Sequence, residues 1–119
     1  MPGSLYEIHS MFEELQRYMV DVVNGVQDGK EIRAAAFEEA EKRCRQLTAL
    51  LKGHELIPRY ILQGLSQAAS VLEAEAPYMP TESEQQRAQA ISHAIQFTSS
   101  LILIGECHDD RRSGVPRVF

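Results

Sequence analysis

The residues with chemistry to offer are four histidines, two cysteines and clustered carboxylates. A carboxylate-bridged metal centre inside a helical protein needs Glu-x-x-His pairs that project inward from facing helices. None of His9, His54, His93 and His108 has a glutamate three residues before it, which excludes that centre. Cys107, His108, Asp109 and Asp110 are each metal-ligating types, but adjacent residues do not converge on one ion without ligands from elsewhere. No C-x-x-C or H-x-x-x-H spacing supplies those ligands. Neither a glycine-rich phosphate loop nor a G-x-S-x-G nucleophile turn is present. The expectation is no metal and no cofactor.

Glu38 and Glu41 form the Glu-x-x-Glu half of the magnesium site of all-α nucleotide pyrophosphohydrolases. Its Glu-x-x-Asp half occurs only as Glu106-Cys-His-Asp109, too far downstream to share the ion. One catalytic pattern is left. Arg87-Ala-Gln-Ala-Ile-Ser-His93 resembles the signature of HEPN-type ribonucleases, an arginine and a histidine separated by four to six residues. The resemblance implies an all-α fold and RNA cleavage, usually across a dimer interface. His93 would move a proton and Arg87 would stabilise the phosphorane charge. On one continuous helix the two side chains project about 120° apart, so a single helix does not converge them. The family's polar residue after the arginine is Ala88 here. Arg87 and His93 are thus the alternative catalytic pair, while the leading expectation assigns no catalytic residue.

Four helical segments must carry these residues. Ser4 with Glu7 forms a capping box, and Leu5, Ile8, Phe12, Leu15, Met19, Val22 and Val26 recur at three- and four-residue spacing. Asn24-Gly25 reads as a stop, giving helix 1 over Leu5–Val23. Asp28 with Glu31 signals a new start, and Phe37, Ala40, Cys44, Leu47 and Leu51 lead to Gly53, giving helix 2 over Gly29–Lys52. Its outer face offers the pairs Glu38–Lys42, Glu39–Arg43 and Glu41–Arg45. Pro58 opens helix 3, whose stripe is Ile61, Leu62, Leu65, Ala68, Ala69, Leu72 and Ala76 before Pro77. Thr81 and Glu84 cap helix 4, which runs to Gly105. Its expected buried half is Ala90, Ile91, Ala94, Ile95, Phe97, Thr98, Leu101, Ile102 and Ile104. Short connections predict an all-α, antiparallel up-down-up-down four-helix bundle over residues 1–105. Residues 106–119 form an irregular polar tail, whose apolar Val115, Val118 and Phe119 favour docking on the bundle.

The 119-residue chain fits one domain, and its net charge of −5 argues against nucleic-acid partners. Two cysteines make no disulfide framework, and MPGSLYEIHS has no basic stretch followed by an apolar run, so a cytoplasmic protein without a membrane span is expected. The outer faces of helices 3 and 4 stand out because they carry no charge. Gln63 and Gln67 beside Tyr60, and Gln89, Ser92, Gln96 and Ser99 beside Leu103, are the expected partner-binding residues. At one end of the bundle Asp21, Asp28, Glu31, Glu73, Glu75, Glu82 and Glu84 outnumber Lys30, Arg33 and Arg87, which suits a basic protein partner. The chain therefore reads as a protein-binding module, most concretely a toxin-neutralising immunity protein or antitoxin. An adaptor or regulatory homodimer joined through helices 3 and 4 is the other binding form.

Overall fold

A computed structural model describes residues 3–110, and among them the order is α1 (Leu5–Asp28), α2 (Ala34–Leu51), α3 (Arg59–Glu75) and α4 (Glu82–Ile104). Short 3-10 turns follow α3 at Ala76–Tyr78 and α4 at His108–Asp110. The fold is the expected all-α four-helix bundle. Residues 111–119, with Val115, Val118 and Phe119, lie outside the described residues.

Local chemistry sets the start of α1 and both ends of α4. The Ser4 hydroxyl accepts from the Glu7 amide at 3.1 Å while the Glu7 carboxylate accepts from the Ser4 amide at 3.1 Å, completing the box at α1. These bonds hold the Glu7 carboxyl below its ordinary range. Thr81 accepts from the Glu84 amide at 3.1 Å to open α4. Gly105 closes α4 at φ 77, a left-handed geometry that glycine takes without steric cost. Two sequence expectations fail at the α1–α2 connection. Helix α1 runs through Asn24-Gly25 to Asp28, because Val26 is fully buried and its transfer from water outweighs the cost of about 1 kcal/mol for a mid-helix glycine. Asp28 and Glu31 then cannot cap α2. The chain instead turns at Lys30 with φ 50, and α2 starts five residues later than Gly29, at Ala34, without a side-chain cap.

The first two helices form one antiparallel hairpin, tied where the Gly3 amide donates to the Leu50 carbonyl at 2.8 Å and the His54 ring donates to the Gly3 carbonyl at 2.7 Å. Helices α3 and α4 form the other. The hairpins stack so that α1 lies on α3 and α2 on α4. Both cross-hairpin pairs are parallel: His9 reaches Tyr60 near the starts of α1 and α3, Lys30 just past α1 reaches Glu75 at the end of α3, and the ends of α2 and α4 meet where His108 and Asp110 reach Thr48 and Lys52. Helices α1 and α4 are therefore diagonal, as are α2 and α3. Ile8, Leu15, Leu47, Ile61, Leu65 and Leu72 fill the centre at 1% exposure or less. Gly64 lets α1 and α3 meet, since a Cβ there would come within 2.7 Å of the Phe12 ring. No helix among the described residues is long and apolar enough to cross a membrane.

Candidate protein-binding surface

A groove of about 400 Å³ runs between α3 and α4, lined by Leu62, Leu65, Ser66, Ala69, Ser70, Gln96, Ser99 and Leu103. Small residues create it: serine and alanine at the helix contact leave Leu62 half-buried at its floor, above the fully buried Leu65. None of the lining side chains is ionisable. Of the expected partner-binding residues, Gln96, Ser99 and Leu103 converge here, with Leu103 68% exposed. Gln63 and Gln89 are exposed on the outward sides of α3 and α4, beyond the lining of the groove.

Ser92 does not belong to this surface. It is fully buried, its hydroxyl donates to the Ala69 carbonyl at 2.8 Å, and Gln96 donates back to it at 3.1 Å. A hydroxyl with a backbone acceptor is buried at little cost, and this one pins α4 to α3. The consequence is a rotation of α4 from its expected phase. Its buried residues are Ala88, Ile91, Ser92, Ile95, Thr98, Leu101 and Ile102. Phe97 and Ile104, expected inside, are 42% and 43% exposed, and Ala90 is exposed as well.

Tyr60 and Gln67 face the other way, toward α1. The Tyr60 hydroxyl lies 2.8 Å from His9 Nδ1 and its ring meets Phe12 edge-on, while Gln67 lines a separate groove with Val20, Val23 and Val71. The acidic end is also reorganised by pairing. Lys30 holds Glu75 at 2.8 Å, and Arg33 pairs with Asp21 and with Glu31. Glu73 and Glu82 are exposed there.

Arg87 and His93 are both exposed on α4, and no other described side chain is brought to them by a hydrogen bond or ion pair. Within one chain they do not form a site. A polar cluster that sequence patterns did not signal sits instead between α2 and the end of α4. The Cys44 thiol meets the Thr98 hydroxyl, which lies 3.1 Å from His108 Nε2, and the His108 amide donates to Thr48 at 3.3 Å. Burial pushes the Cys44 thiol up to about 11, which keeps it protonated and a poor nucleophile. Burial, with Arg45 nearby, lowers the His108 pKa. This cluster fastens the chain after α4 onto α2, helped by the Lys52–Asp110 pair at 2.8 Å. No group of three or more metal-ligating side chains occurs among the described residues. No protein-family model, curated protein or solved structure matches the chain.

Proposed function

We propose that the chain is a protein-binding module that receives its partner in the α3/α4 groove. The observation that carries this reading is a groove with no ionisable side chain in its lining and with Gln/Ser lips, whereas the groove between α1 and α2 is flanked by Glu7 and Glu14 and that hairpin is bridged by ion pairs. Covering glutamine and serine removes less hydration energy than covering lysine or glutamate. Leu103, 68% exposed at the groove, adds apolar area that a partner can cover. The net charge of −5 and the exposed Glu73 and Glu82 beside α3 and α4 favour a basic partner. A toxin-neutralising immunity protein or antitoxin stands in that charge relation to its effector.

Affinity capture with the intact chain, followed by titration of the captured protein, tests this. Gln96→Lys and Leu103→Glu are expected to weaken binding by roughly tenfold or more while helicity is unchanged. Binding unaffected by both substitutions refutes the groove.

A further inference from the structure

We propose that a second surface, the α2/α4 face, joins two copies of this chain about a two-fold axis through Phe97. This goes beyond the groove reading and uses different residues. The rotation of α4 leaves Ala90, His93, Phe97, Ser100 and Ile104 exposed on one stripe at alternating spacings of three and four residues, with the Phe97 ring edge-on to His108 at 5.6 Å and 42% exposed beside it. The stripe extends about 21 Å along the helix and carries no formal charge with His93 neutral.

Its pattern is self-complementary. With α4 antiparallel to the α4 of a second copy, an axis at Phe97 sets Phe97 against Phe97, small Ala90 against large Ile104, and His93 against Ser100. An isologous contact requires this kind of reciprocity, in which one patch fits itself after rotation.

The neighbouring helix supplies matching charge. Helix α2 runs parallel to α4, and the contact between Cys44 and Thr98 sets position 43 level with Phe97. Glu41 and Arg45 are thus two residues before and two after that level. Both are exposed, and neither makes an ion pair with a described residue, whereas Glu39–Arg43 closes at 3.3 Å. On the helical circumference Glu41 and Arg45 lie within about 100° of Cys44, beside Thr48, which accepts from the His108 amide at 3.3 Å, so this side of α2 is turned toward α4. The same two-fold axis that matches the stripe brings Glu41 of each copy opposite Arg45 of the other. The apolar pattern and the charge order on two separate helices select one axis.

Sedimentation equilibrium on the purified chain tests this against the 13.4 kDa mass of one copy. The expected result is twice that mass at concentrations of about 0.1 mM. Phe97→Glu is expected to weaken association on the order of a hundredfold while circular dichroism stays helical. Glu41→Arg and Arg45→Glu should each weaken it roughly tenfold, and the double charge reversal should restore it to within about threefold of the original. Both sites are exposed, so this cycle is informative even if Phe97→Glu disturbs folding. Gln96→Lys and Leu103→Glu, in the α3/α4 groove, should leave the mass at twice 13.4 kDa. A single-copy mass at about 0.5 mM overturns the proposal. So does a dimer that survives Phe97→Glu, one that the double reversal fails to restore, or one broken by the groove substitutions. None of those outcomes bears on whether the groove binds a different protein.

Discussion

The two hairpins of this bundle solve the same packing problem with opposite chemistry. Between α1 and α2 the contact is reinforced by ions: Arg43 reaches Glu14 at 3.6 Å and lies 4.6 Å from the Tyr18 ring centre, and Arg33 crosses the connection to Asp21. Between α3 and α4 no ion pair is made among the described residues, and the link is a serine hydroxyl on a backbone carbonyl. Toward the α1–α2 connection long charged side chains cover the seam of the first hairpin, while toward the start of α1 it opens into a groove of about 590 Å³ lined by Tyr6, Met11, Gln46 and Leu50 with Glu7 and Glu14. Small residues leave the seam of the second open as a groove. A surface that already satisfies its own charges has little to offer a partner, while an open and neutral one does.

This contrast is best broken at Ser92. Ser92→Glu places a carboxylate in a fully buried position with no cation, and should cost about 3–5 kcal/mol in chemical denaturation. The same substitution about two turns away at exposed Ser100 should cost under about 0.5 kcal/mol. A similar cost at both positions would mean that α4 keeps the phase its hydrophobic pattern alone suggests. Gly64→Ala comes next, at about 1–3 kcal/mol, because the added Cβ meets the Phe12 ring at 2.7 Å. Arg43→Ala should cost about 1–2 kcal/mol, and the cost should shrink in high salt as its Coulomb part is screened. No salt dependence would show that packing against Tyr18, not charge, holds the ionic hairpin.

How far these contrasts were legible in the sequence depends on the signal each one leaves. The fold class, the caps at Ser4 and Thr81 and the uncharged runs in α3 and α4 follow from residue type and spacing. The phase of α4 does not. Periodicity ranks Phe97 and Ile104 above Ser92 for burial, and it cannot register that Ala69 presents a carbonyl to the serine. Asn24-Gly25 misled for a related reason, since the core contact of Val26 overrides a local stop signal. Of the three ion pairs expected along α2, Glu39–Arg43 forms, whereas Lys42 turns to Glu39 at 3.1 Å. The Cys44–Thr98–His108–Thr48 cluster joins residues from three segments, and only the tertiary fold assembles it. The Gln/Ser faces were visible as composition, but their division between the α3/α4 groove and the α1 side was not.

The smallest expected effect concerns the segment after α4. Lys52 and the Cys107 amide hold the Asp110 carboxyl down at about 2. A carboxyl lowered in the folded state adds stability above its ordinary pKa, and that contribution is lost as the pH falls toward 2. His108 is lowered mainly by burial, so its protonated form is disfavoured when docked, and docking weakens as the pH drops below about 6.5. The protection factor of the Cys107 amide, its exchange divided into the intrinsic rate at the same pH, should therefore fall between pH 7 and pH 5, and again below pH 4. A flat pH profile would remove both groups from the docking account.

The central claim is that the neutral α3/α4 hairpin receives the partner and the ionic hairpin does not. Isothermal titration of the captured partner against Gln96→Lys and against Arg17→Glu, an exposed position on α1, tests it most directly. The account predicts roughly tenfold or greater loss for Gln96→Lys and a change within about twofold for Arg17→Glu. Equal affinity for Gln96→Lys and the unsubstituted chain, with loss confined to Arg17→Glu, would contradict it.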